Sequence, residues 1–417
     1  MIKSAGRPPA HWKARLLANL APARPRRVER PGPHHLNLSP GRIAVYAAVA
    51  GLFVWMPAVA LVWQEWDTLA THLHLGPDYL SFYAASVMTL EGAPARVYEV
   101  AAHNAVQKAL FPQSGYSWFL YPPVFLLLCW PLALASYFTS LGVWLAATFA
   151  AYAAVARKLA PSAVGVAPFL AFPAVMMNAT HGQNAFLTCA LMGAGLLCPA
   201  SRPLLAGVLF GALAFKPQLG LLIPVLLACG GHWRAFFAAG ATVAALCLAS
   251  LGAFGLETWT AYIAALPEAR RVLEDGVFGH EKLQSVFAML RLAGASLAAA
   301  YAVQGAIALM IAGALAFAAR RSRDTLACGA LMCAGASLVT PFILRYDLVL
   351  LAIPLMWLAR DAQRAGLRLH EIIIAALVFL LPLVPLDFTD ATRVLVAPFV
   401  IAALFGVIFA RTLQAGK

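Results

Sequence analysis

Long apolar runs separated by short polar knots account for almost all of the chain from residue 43 onward. A helix needs about 20 predominantly apolar residues to cross a bilayer. Residues 43–63 meet that length and read as a first span, with Trp63 and Trp66 suited to the outer interface. The apolar block 126–156 is broken near Pro131 and Tyr137 and closes on Arg157-Lys158. Runs 164–178 and 185–198 flank the knot Asn178-Ala-Thr-His-Gly-Gln-Asn184, and runs 204–215 and 219–229 flank Lys216-Pro-Gln218. The last two fall short of a span and predict short helices packed inside a bundle rather than facing lipid. Further runs occupy 235–255, 297–319, 325–343, 348–359, 371–386 and 394–410. Thirteen runs would put the termini on opposite sides, against the basic residues at both ends. The expectation is an all-α polytopic membrane protein of about twelve transmembrane helices, with one run in 121–178 re-entrant or fused.

Two longer polar intervals, about 64–120 and 256–296, read as extracytoplasmic loops. In the first, Tyr79, Phe82, Tyr83 and Ser86 fall at i, i+3, i+4 and i+7, an aromatic stripe at helical spacing. Gly76-Pro77 breaks the chain before it, Asp78 stands where an N-cap would, and Gly92 with Pro94 ends it. Two readings stay open: an amphipathic helix lying at the interface with a capping Asp, or an aromatic helix that carries an acid for chemistry.

Charge gives the topology a direction. The net charge is +13 over 417 residues, and residues 1–42 carry nine Lys/Arg against one acid, Glu29. A basic patch spread over a folded surface would point to nucleic acid, but this one sits directly before the first span. The positive-inside rule makes it cytoplasmic, and its Pro, Arg and His content predicts a disordered tail touching anionic headgroups. It is too long for the charged start of a signal peptide, so 43–63 is expected to remain as an uncleaved first helix. Residues 64–119 hold five acids and two Lys/Arg, the opposite bias, as expected outside. With 62% apolar residues, the remaining 43–417 form a single membrane domain.

Seven cysteines all lie in apolar segments without metal-ligand spacing, so neither disulfides nor a metal centre is expected. Ionisable and amide groups at membrane depth are costly and mark function by default. Three sets stand out beyond Asp78: Lys216 with Gln218; His181, Gln183 and Asn184; and Arg345-Tyr346-Asp347. The blander readings are a snorkelling lysine, interhelical hydrogen bonds and a local ion pair at a helix mouth. His280, Glu281 and Lys282 read as a solvated face. Asp78 and Asp347 are carboxylates able to take a proton, and Lys216 and Arg345 are cations able to hold a phosphate.

In this order the chain carries Asp78-Tyr-Leu-Ser-Phe-Tyr-Ala-Ala, Gly92-Ala-Pro-Ala-Arg-Val-Tyr98, Tyr121-Pro-Pro-Val-Phe, His181-Gly-Gln-Asn184 and Phe215-Lys-Pro-Gln-Leu-Gly220. Lys282-Leu-Gln-Ser285 and Thr340-Pro341 with Tyr346-Asp347 follow. This series resembles glycosyltransferase family 87, integral membrane transferases of GT-C fold that use polyprenyl-phosphate sugars, over residues 43–410. The resemblance implies a hexosyltransferase, mannosyl in the best-known members, with Asp78 at the position of the catalytic base. Donor phosphate and substrate would meet Lys216, Gln218, Arg345, Tyr346, His181, Gln183, Asn184, Tyr79, Tyr83, Tyr121, Lys282 and Gln284, with Asp347 as a second acid or base. Thr340-Pro-Phe-Ile-Leu-Arg-Tyr-Asp347 stands where the mannosyltransferases carry paired histidines, which loosens the assignment to mannose.

The expected reaction is an inverting displacement at the anomeric carbon, needing no cofactor. Its partners are a polyprenyl-phosphate sugar, a lipid or glycan acceptor and the bilayer of a bacterial inner membrane, with the site facing the periplasm. The rival class is a secondary transporter or flippase for a lipid-linked or anionic substrate, which would use the same buried polar groups. One long acidic loop and no visible internal duplication favour the enzyme.

Overall fold

The computed structural model describes Met56 and residues 75–414, except 161–163, 199–200 and 278. The expected tail, and the first span apart from Met56, lie outside these residues. Apart from a single bridge pairing Leu283 with Leu344, the described residues are helical or irregular. The principal helices are α1 (Tyr79–Leu90), α2 (Val100–Leu110), α3 (Tyr137–Leu159), α4 (Pro173–His181), α5 (Ala185–Leu197) and α6 (Pro203–Gly211). They continue as α7 (Trp233–Glu274), α8 (Leu297–Arg321), α9 (Thr325–Val339), α10 (Ala352–Ala365), α11 (Leu369–Leu380) and α12 (Ala397–Gln414).

Four of these, α3, α7, α8 and α12, are long and apolar enough to cross a membrane. A fifth candidate is the pair Leu369–Leu383 and Leu386–Thr392, bent by 98° at its break. The described residues therefore hold four or five spans by length, where the apolar runs suggested about twelve. The difference has a physical source: several runs are cut into short helices. Prolines and glycines break the chain at 130–136, 182–184 and 216–217, so each piece covers only part of a bilayer. The interval 256–296 also differs from a loop, because α7 continues through it to Glu274 after a break at Gly255 (φ 79°, ψ 166°).

The core sits around α9. Thirteen of its fifteen residues are buried, and most are Ala, Gly, Cys or Ser, so neighbouring helices come close on every side. It packs against α8 and α12 and beneath the 345–351 turn. The opposite case is α7, whose apolar window is only 11% buried in protein and offers most of its surface to lipid. It is held by α6 through Gly207 and Gly211, where an added Cβ would meet the Ala235 and Ala239 carbonyl oxygens at 2.5 and 2.6 Å. That close approach is the usual small-residue contact of membrane helices.

One end of the bundle carries the basic residues: Arg157 and Lys158 close α3, Arg320 and Arg321 close α8, and Arg411 lies near the end of α12. There Arg411 bridges Asp361 (2.5 Å) and Glu371 (2.6 Å) and ties α10, α11 and α12 together. The other end of α3 begins at Tyr137, whose hydroxyl donates to the Gly76 carbonyl at 2.6 Å. Twenty-three residues of helix, about 34 Å, thus separate the Arg157-Lys158 end from the turn that carries Asp78.

Candidate active site

The Gly76-Pro77-Asp78 turn is anchored from three directions. Tyr137 holds the Gly76 carbonyl, and Ser117 Oγ donates to the Pro77 carbonyl at 2.6 Å. The Gly76 and Asp78 amides donate to the Thr180 and His181 carbonyls at 2.7 and 3.2 Å, so the turn is stitched to the end of α4. Asp78 does not cap α1. Its backbone is in the helical region (φ −81°, ψ −26°), and no hydrogen bond runs from its side chain to the first turn. The carboxylate is left for other partners.

The amphipathic-helix reading of α1 is overturned. Nine of its twelve residues are buried, including the whole stretch Tyr79–Ser86, because segments 94–136 and the start of α3 fold around it. Tyr79 and Tyr83 serve the core rather than a substrate. Tyr79 Oη lies 2.5 Å from Ser140 Oγ, and its ring meets Tyr137 edge-on at 5.5 Å. Tyr83 donates to the Ala135 carbonyl at 2.9 Å. The aromatic stripe fixes Asp78 in place; it does not form a surface for sugar or headgroups.

The His181-Gly-Gln-Asn184 knot divides its work residue by residue. Gly182 ends α4 in the left-handed region (φ 69°), and a Cβ there would stand 2.6 Å from Tyr79 Cβ, so only glycine admits this approach. His181 Nδ1 lies 2.8 Å from the Met177 carbonyl. A carbonyl only accepts, so Nδ1 carries the proton and Nε2 is left for another partner. Gln183 Nε2 donates to Asp78 Oδ2 at 3.2 Å, while its Oε1 accepts from Tyr121 Oη at 3.2 Å. Asn184 turns the other way: its Oδ1 accepts from Lys216 Nζ at 3.0 Å.

Lys216 sits where a helix is broken (φ −134°, ψ 63°), with Pro217 opening the next turn. It does not snorkel. Only 3% exposed, it donates to Asp347 Oδ1 at 2.5 Å, and Asp347, 2% exposed, accepts the Leu344 amide on Oδ2 at 3.1 Å. Each oxygen of Asp347 thus has a partner, and the Lys216 charge is balanced inside the protein. Lys216 Nζ also lies 5.3 Å from the centre of the Tyr346 ring, whose other neighbour is His181 at 6.2 Å. Arg345 differs. Among the described residues no hydrogen bond or ion pair engages its guanidinium, and burial disfavours its charge, with Glu281 easing it. Lys282 is exposed and is carried to the same edge by the Leu283–Leu344 bridge and by the Gln284 amide, which donates to the Ile343 carbonyl at 2.8 Å. The Gln284 side chain is buried and folds back on the Lys282 and Leu283 carbonyls. Among the described residues no hydrogen bond joins Gln218 to the cluster.

Asp78 is half-buried and keeps contact with solvent, yet desolvation by surrounding protein dominates and raises its pKa above the usual carboxylate range. His181, Gln183 and Lys282 pull it back down, and Asp347 adds to the rise. A carboxylate that is partly accessible and otherwise ringed by protein is open to a substrate on one side. A raised pKa also makes it a better proton acceptor once ionised. No cluster of His, Cys, Asp and Glu suited to a metal ion occurs among the described residues.

The family model for glycosyltransferase family 87 matches residues 119–341, more than half of the chain. The chain belongs to glycosyltransferase family 87. It is a multi-pass membrane glycosyltransferase, acting on a sugar donor and an acceptor at a bilayer. The comparisons with curated proteins and with solved structures return no match. The matched segment of this family 87 chain contains Tyr121, the 181–184 knot, Lys216 and Lys282-Leu-Gln284. Asp78 lies before it and Arg345-Tyr346-Asp347 after it, and folding brings both against the matched part.

Sequence reading missed the residues that hold the Asp78 turn: Ser117, Tyr137, Ser140 and Trp144, whose Nε1 donates to the Gly182 carbonyl at 3.2 Å. A signal for three of them was present. Tyr137, Ser140 and Trp144 recur at i, i+3 and i+7, a polar-aromatic stripe down one face of an otherwise apolar helix.

Proposed function

We propose that the protein transfers a hexosyl group from a polyprenyl-phosphate sugar to a hydroxyl of a lipid or glycan acceptor, with inversion at the anomeric carbon. The observation that carries this reading is Asp78: a partly exposed carboxylate, free of capping duty and oriented by Gln183, with Lys282 near enough to act on its charge. Asp78 takes the proton of the acceptor hydroxyl as its oxygen bonds to the anomeric carbon. The bond from that carbon to the phosphate oxygen breaks, and the electron pair leaves with the polyprenyl phosphate. Arg345 and Lys282 face the growing negative charge. The transition state resembles the oxocarbenium ion of glycoside hydrolysis. A phosphate is a better leaving group than a sugar alkoxide, so one base and a set of cations suffice.

The placement we favour is a bacterial inner membrane, with about twelve spans in a GT-C bundle and the basic end of α3 and α8 in the cytoplasm. By the positive-inside rule Asp78 then faces the periplasm, where lipid-linked sugars are used. The test is transfer to endogenous membrane lipids from radiolabelled polyprenyl-phosphate mannose and polyprenyl-phosphate glucose. Wild type should label acceptor lipid from one of them, and Asp78→Asn and Asp78→Ala should not. Full transfer by both variants would remove Asp78 as the base.

A further inference from the structure

Two halves make up the site, and they come from distant parts of the chain. One is the base half, Asp78 on Gln183, with Asn184 as the next residue. The other is the cation half, Arg345 after Leu344, with Lys282 brought alongside by the pairing of Leu283 and Gln284 with residues 343–344. A single buried ammonium joins them: Lys216 holds Asn184 Oδ1 at 3.0 Å and Asp347 Oδ1 at 2.5 Å, and Asp347 Oδ2 holds the Leu344 amide.

We infer that Lys216 and Asp347 are a positioning pair that sets the separation of the base from the phosphate-facing cations, rather than groups that touch the donor. This rests on the transfer reading given above. Burial argues first: at 3% and 2% exposure, neither side chain presents a free polar atom to a ligand. The second argument is energetic. Two desolvated charges hold helices together no better than an apolar pair of the same volume, so stability alone does not account for them. Direction is what they add. The ammonium reaches a fixed set of oxygens, and each of those belongs to a neighbour of a residue in the site. The helix is broken at Lys216, which carries its Nζ to this junction. Tyr346, with Lys216 and His181 as ring neighbours, completes the link between the two halves.

The experiment compares full-length wild type with K216M, D347L and the double variant K216M/D347L. Each is measured for thermal stability in detergent and for transfer from the active polyprenyl-phosphate hexose, with D78N as the inactive control. The single variants should lose stability, since each strands one buried charge. In the double variant stability should return to the wild-type range while kcat stays down about 100-fold, the scale of a misplacement near 1 Å. Donor KM should change little, so that the loss falls on kcat alone. Wild-type kcat in the double variant would reduce the pair to a packing element and overturn the inference. A rise in donor KM at unchanged kcat would overturn it too, by making Lys216 a donor ligand. If the double variant does not fold, D347E answers the question, since it keeps the charge but moves the carboxylate by one methylene: stable protein with kcat down roughly tenfold or more supports the pair, and unchanged kcat refutes it. Activity in D78N, by contrast, would remove Asp78 as the base, and no transfer by wild type from any polyprenyl-phosphate hexose would undo the transfer reading itself.

Discussion

Asp78 and Asp347 are two carboxylates close enough to feel each other's charge, with opposite situations. Asp347 has a partner on each oxygen and 2% exposure, and it answers to Lys216 and the Leu344 amide. Asp78 has one amide on one oxygen, a face toward solvent, and a pKa held up by the protein around it. A carboxylate engaged on both oxygens is a structural anchor, whereas one with a free lone pair and raised proton affinity can take a proton from a substrate. Side-chain type alone ranks them alike, as acids beside aromatic residues; their partners separate them.

That contrast breaks most sharply on the Asp→Asn pair. Asp78→Asn should cost up to about ten-thousandfold in kcat, the upper range for a lost general base. It should also make the protein more stable. A group whose folded pKa lies above its unfolded value contributes stability below the unfolded pKa and loses it as pH rises through the folded one. That contribution falls away as pH rises past the ordinary carboxylate range, and an uncharged amide avoids the loss. Melting temperature and transfer rate measured together check both signs, and a D78N that melts earlier would contradict the burial argument.

Lys216→Met is the counterpart at the anchor. It strands Asp347 without its cation and should lower stability by about 3–5 kcal/mol, read as a fall in melting temperature or in folded yield. Arg345→Gln should leave stability nearly unchanged and raise donor KM roughly tenfold to a hundredfold, as for one charge-assisted hydrogen bond. Equal losses for Arg345→Gln and Lys216→Met would erase the distinction between a free and a balanced cation.

The smallest effect belongs to the loop beneath Asp78. His103 on α2 is fully buried between the Ser81 carbonyl and the Tyr116 hydroxyl, and burial lowers its pKa to about 4. With a folded value below the unfolded one, its neutral form supports the fold at neutral pH. That support, at most about 3 kcal/mol, should fade as pH falls from near 6.5 toward 4. His103→Gln should flatten the change, measured as melting temperature against pH. Acid limbs of activity and stability that differ in their response to His103→Gln would separate Asp78 from its support.

Much of the site was legible in the chain. The motif at 76–78 opens a helix and those at 181–184, 215–218 and 340–347 each interrupt helical chain, and a break with polar residues in an apolar run is costly unless a cavity or partner receives it. So the residues could be named, and Asp78 singled out, before their neighbours were known. Spacing left open whether Asp78 caps α1 and whether its aromatic face lies at an interface, for one reason. Helical spacing tells which side chains share a face, and it says nothing of whether that face meets lipid, water or another helix. Tyr79 and Phe82 meet Tyr137, Trp144 and Phe125 from later in the chain.

By itself, the sequence determined that this is an all-helical membrane protein with a basic start, and that an acid and several cations lie where apolar chain is interrupted. It also determined the family, since the ordered motifs suffice for that. Only the tertiary structure decided which charge is balanced and which is free. Lys216 and Asp347 are 131 residues apart, and Gln183 is 105 from Asp78. The free energy of a charge depends on what lies within a few ångströms of it, and sequence spacing does not carry that distance.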